Sequence, residues 1–141
     1  MEQQTREFPS ELRHLTAVRT MVRHVCRCAC GNLIDEEWLV QLELAVDEAM
    51  ANVILHAYEG KSGLPVEVAV TADADRVCVT LFHRGKPFDP DAVAPPAFDG
   101  SRECGFGLYL IRQAVDELAF FQDERGRHGI RLIKKRLPTK T

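Results

Sequence analysis

LELAVDEAMANVILHAYE, running from Leu42 to Glu59, is the stretch whose reading decides the fold. It is rich in Leu, Ala, Met and Glu, all strong helix formers, and meets no Gly or Pro until Gly60. Asp35 offers an N-cap, so the helix is expected to begin near Glu36 and to run through Trp38 and Leu42 to Tyr58. Almost every face is apolar, which predicts a largely buried helix. Yet Glu48, Asn52 and His56 recur at every fourth position and make one polar stripe along it. Burying a carboxylate or an amide without a partner costs several kcal/mol. Either protein groups pair with that stripe, or it lines a wet site.

Upstream of this helix, Thr5–Phe8 reads as a short edge strand, and Ser10 after Pro9 as the N-cap of a first helix. Leu12, Leu15, Val18, Met21, Val22 and Val25 recur at helical spacing, and that helix should run to about Cys28 and end near Gly31-Asn32. Downstream, Gly60–Pro65 is a turn. Val66–Thr71 alternates like a half-buried strand, Asp73-Ala74-Asp75 marks a hairpin turn, and Val77–Phe82 is apolar enough to be central in a sheet. His83–Cys104 holds four of the seven prolines and no convincing periodicity. A connection this long in a compact domain is usually a lid or binding loop, the other reading being a solvated insertion. Gly105-Phe106-Gly107 then opens a helix over Leu108–Leu118, and Ala119–Asp123 and Ile130–Arg136 are strands joined by a turn over Arg125–Gly129. The tail, Pro138–Thr141, is expected to fray.

The order helix, helix, hairpin, lid, helix, hairpin predicts an α+β fold: a two-layer sandwich with helices on one face of a mixed, mainly antiparallel sheet. At 141 residues it suits a single domain spanning 1–141. A net charge of −3 gives no reason to expect non-specific nucleic-acid or anionic-membrane binding. The apolar runs are too short to span a bilayer, and MEQQTREFPSE lacks an apolar signal region, so a cytoplasmic location is the default expectation. Cys26, Cys28 and Cys30 are spaced C-x-C-x-C, which is not the C-x-x-C of a zinc or redox site. On a helix Cys26 and Cys30 would share a face, and they read as small, half-buried residues.

Several residues carry chemistry. Glycines at a helix start, here Gly105 and Gly107, let backbone N–H groups approach a phosphate, although two such glycines also make a plain tight turn. The Glu48 carboxylate can take a proton from a hydroxyl nucleophile or position a water. The Asn52 amide oxygen is a hard ligand suited to Mg²⁺. His56, near the helix end, reads as a structural histidine, and Trp38 as core or partner surface. Arg84 and Lys86 read as solvated, and Phe106 as packing the lid.

The run LAVDEAMANVILHAY from Leu44 to Tyr58 resembles the ATP-site helix of the gyrase, heat-shock chaperone and histidine-kinase-like ATPase superfamily. Within it the match is to the anti-sigma-factor serine/threonine kinases of bacteria. Gly85-Lys-Pro-Phe-Asp-Pro90 looks like their first glycine box, and Cys104-Gly-Phe-Gly-Leu-Tyr-Leu-Ile111 like their second. Gly129–Lys135 resembles their closing strand, so the likeness covers roughly residues 5 to 137, in order. It implies a Bergerat-type sandwich that binds ATP and Mg²⁺ under a lid. It implies Glu48 as the general base, Asn52 as the Mg²⁺ ligand, Gly105 and Gly107 as phosphate-cradling glycines, and Gly85 as the adenine-side glycine. Phe106 and Leu108, in the second box, are counted with the cofactor-binding residues. The implied substrate is an anti-sigma-factor antagonist phosphorylated on serine or threonine, with a sigma factor as the competing partner and a homodimer as the usual assembly. Two partners competing for one protein, one of them switched by phosphate, is a mass-action device.

One position departs from the pattern. The first box normally carries an aspartate two residues before its glycine, where a carboxylate accepts from the adenine amino group; here it is His83, in His83-Arg84-Gly85. Neutral imidazole accepts through one nitrogen only, so ATP binding is expected to be weaker but retained through that acceptor. Two functions stay open: a protein kinase that switches partners, and a non-catalytic or weakly ATP-binding module of the same fold that only sequesters its partner.

Overall fold

The computed structural model describes residues 1–31, 34–88 and 106–136. Most of the expected lid, Gly105 and the tail fall outside the described residues. Strand β1 (Glu2–Pro9) leads through a 3-10 turn (Leu12–His14) into α1 (Leu15–Cys30), and α2 (Glu36–Asn52) follows. A π-helical turn (Val53–Ala57) extends α2. Strands β2 (Pro65–Ala72) and β3 (Arg76–His83), helix α3 (Phe106–Ala114), and strands β4 (Glu117–Gln122) and β5 (His128–Lys135) complete it. The sheet order is β1-β2-β3-β5-β4. All four pairings are antiparallel, where the sequence reading allowed a parallel component. The α+β sandwich is as expected, and β3 is indeed the central strand.

The core lies between the sheet and α1 and α2. Val66, Val68 and Val70 of β2, and Val77, Val79 and Leu81 of β3, alternate onto that face and are fully buried. They meet Val18, Val22, Leu39, Leu42, Val46 and Met50. Trp38 belongs to this core, and its indole N–H donates to the Lys135 carbonyl at 2.9 Å. The opposite face of the sheet is polar and aromatic. Arg127 pairs there with Glu67 and Asp123 and lies over the Phe82 ring, and Arg131 lies over Phe121.

Three boundaries differ from the sequence reading. Ser10 is not a helix cap: its hydroxyl donates to the Lys61 carbonyl at 2.6 Å and accepts from the Leu64 N–H at 2.9 Å. It therefore bolts the end of β1 to the turn before β2, and Leu12, expected in the core, is 47% exposed in the 3-10 turn. Helix α3 ends at Ala114 rather than Leu118. The buried Lys134 ammonium donates to the Ala114 carbonyl, capping the helix. The Asp116 N–H has already joined the sheet through the Ile133 carbonyl, so Leu118 is a β4 residue. Strand β1 is also longer than predicted and pairs with β2 along its whole length. Cys26 and Cys30 share the buried face of α1 while Cys28 is exposed, as the helical spacing requires.

Candidate nucleotide site

Asp35 caps α2 by accepting from the Glu37 N–H at 3.2 Å, and the helix then carries the polar stripe. Glu48 and Asn52 are half-buried there. Neither side chain has a hydrogen-bond or ion-pair partner among the described residues. The buried, unpartnered side-chain atoms among those residues are His14 Nε2 and Asp47 Oδ1, so neither Glu48 nor Asn52 is a sealed orphan. A half-buried carboxylate and amide left open in this way are what a wet site requires.

Gly107 closes on the same point. A Cβ built there would stand 2.8 Å from Glu48 Oε2 and 3.5 Å from Asn52 Oδ1. The first turn of α3 thus reaches the carboxylate and the amide because Gly107 has no side chain. Phe106 opens that turn, and Leu108 beside it is 7% exposed, its side chain turned inward.

Directly after Asn52 the helix widens into the π turn, with the Tyr58 N–H bonded to the Val53 carbonyl at 2.9 Å. Such turns inside helices occur often at functional sites. Here the turn frees the Ala57 carbonyl, which accepts the Lys86 N–H at 2.9 Å. Gly85 packs so closely that a Cβ would sit 2.4 Å from that carbonyl oxygen. Tyr58 locks the junction, donating to the Pro65 carbonyl at 2.6 Å and accepting the Arg84 N–H at 2.9 Å. The sequence reading gave Tyr58 no role; its place at the end of the motif helix was the signal.

The π turn and the end of β3 enclose a cleft of about 140 Å³ whose lining includes Asn52, Val53, His56, His83, Phe88 and Ile130. His56 is exposed on it and makes no hydrogen bond among the described residues. Arg84 and Lys86 are exposed, as expected, Lys86 pairing with Glu59 at 3.3 Å. His83 is 2% exposed on the inner face of the sheet. Its ring meets Tyr58 edge-on at 5.8 Å and His128 at 5.6 Å. Its Nδ1 accepts the Gly85 N–H at 3.1 Å.

Burial, with the adjacent His128, lowers the His83 pKa to about 4. An unfolded chain binds this proton near 6.5, so between those values the unfolded state holds more protons. Stability is therefore whole above about pH 6.5 and falls as pH drops toward 4, by on the order of 2 kcal/mol after screening by water in the cleft. Urea unfolding at pH 7.5 and 5.0 should show this loss, and His83→Asn should remove it. An equal pH response in that variant would contradict the assignment.

A sequence profile of the histidine kinase-like ATPase domain matches residues 8–134. The chain belongs to that family. Family membership agrees with the fold and with the resemblance carried by the three motifs. Among its relatives, a serine-protein kinase RsbW of Bacillus pumilus is 35% identical over 92 residues, covering 58% of this chain and 57% of that protein. The RsbW kinase of Staphylococcus epidermidis is 25% identical over 125 residues, covering 82% of this chain and 77% of that protein. Among the described residues no helix is long and apolar enough to cross a membrane.

Proposed function

We propose that this protein is an ATP- and Mg²⁺-dependent serine/threonine kinase that phosphorylates a small anti-sigma-factor antagonist and exchanges that partner for a sigma factor. The observation that carries the reading is the open pair Glu48 and Asn52 against the glycine turn of α3. In this reading Glu48 is the general base that takes the proton of the acceptor hydroxyl. With no ion pair or hydrogen-bond donor among the described residues, its oxygens are open to accept that proton. Asn52 would hold Mg²⁺ through its amide oxygen, a hard donor that suits that ion. When bound, Mg²⁺ neutralises charge on the β- and γ-phosphates. The Gly107 backbone comes close enough to offer the phosphates an N–H-lined turn without a side chain in the way, and Gly105 is proposed to act with it. Val53, Phe88 and Ile130 give the cleft apolar walls for a base. Of the expected lid, 83–104, His83 is instead part of β3 and Gly85-Lys86 is held against the π turn; the remainder is proposed as the lid over the cleft.

The names of the RsbW relatives support the kinase chemistry, and the partner pair follows from the resemblance. The second reading, a partner-sequestering module without catalysis, draws on His83, whose acceptor nitrogen is already engaged. The test is incubation with MgATP and a cognate antagonist, followed by intact-mass spectrometry. A gain of one phosphate on serine or threonine is expected; no gain while the two proteins demonstrably bind would favour the second reading.

A further inference from the structure

His83 has its two ring nitrogens in different states. Nδ1 accepts the Gly85 N–H, so in the neutral ring the proton resides on Nε2. The ring cannot turn over without losing that bond and displacing Tyr58, which is itself held at both the Pro65 carbonyl and the Arg84 N–H. Nε2–H is therefore a fixed donor. Among the described residues nothing is seen to accept from it, it is not one of the sealed unpartnered atoms, and His83 is part of the cleft's lining. The sequence reading left His83 able to accept from an adenine amino group; the geometry takes that acceptor away.

The cleft has a direction. Asn52, with the phosphate-side groups Glu48 and Gly107 next to it, lies toward α3, and His83 lies on the sheet side with Phe88 and Ile130. A nucleotide whose phosphates sit at Asn52 places its base against His83. Adenine carries at C6 an amino group that donates; guanine and hypoxanthine carry a carbonyl that accepts. A donor facing a donor leaves both unsatisfied, whereas a donor facing a carbonyl makes a bond.

We infer that His83 selects purine nucleotides by the group at C6, so that the site takes 6-oxopurine nucleoside triphosphates more tightly than ATP. This rests on the cleft being the nucleotide site. ATP remains a donor, bound with its amino group unmet. The preference is about tenfold, the size of one hydrogen bond gained where none forms with adenine.

Calorimetric titration of the purified protein with ATP, GTP and ITP, each with Mg²⁺, tests it. ITP matters because it has the 6-carbonyl without the 2-amino group of GTP, whose fit is a separate question. ITP is expected to bind about tenfold more tightly than ATP. His83→Asp, whose ionised carboxylate only accepts, is expected to reverse the order. ATP binding more tightly than both ITP and GTP, and lost in Asn52→Ala, overturns the selection while leaving the nucleotide site standing; Nε2–H then meets the adenine N1 acceptor. Binding of none of the three overturns the nucleotide site and the selection together. The comparison is made on the unaltered chain, so it holds even if His83→Asp fails to fold.

Discussion

Glu48→Ala is expected to leave a folded protein that binds nucleotide and does not transfer phosphate. The reason is what Glu48 lacks. Three of the five carboxylates on α2 are paired with arginines of α1: Asp47 with Arg19, and Glu36 and Glu43 with Arg23. Glu48 has no such partner among the described residues, yet it is half-buried beside Gly107. Truncating it breaks no ion pair, so the unfolding midpoint should hold or rise. The chemical step should slow by about 10²–10⁴-fold, the usual contribution of a positioned base. Nucleotide affinity should change by less than about threefold, because a base acts in the transition state and adds little to ground-state binding. Single-turnover phosphotransfer beside calorimetric binding separates the two. A parallel loss of affinity and rate would make Glu48 a binding residue instead.

Gly85→Ala is expected to have the largest effect on stability of any single methyl added to the described residues around the cleft. The new Cβ would lie 2.4 Å from the Ala57 carbonyl oxygen, 2.6 Å from its carbon and 2.9 Å from Tyr58 Cδ1. Two of those atoms are backbone and cannot swing aside. Relief means prising the β3 end from the π turn, which breaks the Lys86 N–H to Ala57 bond and disturbs the Tyr58 lock and the Gly85 N–H to His83 bond. The expected cost is about 3 kcal/mol, near the top of the range for overpacking, or roughly 10 °C in melting temperature at this chain length. Gly60→Ala is the control. It has open space around it but a φ of 77°, so it should cost only about 1 kcal/mol. Because His83 and Asn52 flank the same junction, Gly85→Ala should also weaken nucleotide binding, while Gly60→Ala should not. Equal melting temperatures for the two variants would show that the loop yields easily and that the junction is not a fixed wall of the site.

Where the sequence spoke clearly, periodicity and local chemistry were decisive. The alternation of Val66, Val68 and Val70 can bury only one face, and the capping oxygen of Asp35 can start only one helix, so β2 and α2 fall where those residues put them. What stayed hidden depends on partners far along the chain. Ser10 caps nothing because Lys61 and Leu64, more than fifty positions away, compete for its hydroxyl and win. Leu118 keeps helical spacing with Leu108 and Ile111, but Lys134 and Ile133 capture the chain first. The π turn has no signature in Val53–Ala57, since what stabilises it is the Lys86 N–H and the close approach of Gly85 from the bend after β3. In the site, the four-residue spacing of Glu48 and Asn52 could be read from the helix. That both would be left open needed coordinates, as did the tautomer of His83, which a backbone N–H two residues away decides.

The central claim is that the stripe on α2 faces a metal-bound triphosphate. Titration of unaltered protein and Asn52→Ala with a nucleoside triphosphate, each with Mg²⁺ and with EDTA, tests it most directly. The account predicts that Mg²⁺ tightens binding to the unaltered protein by at least about tenfold and that Asn52→Ala loses most of that gain. Equal affinities in all four titrations, or an Mg²⁺ gain untouched by Asn52→Ala, would contradict it.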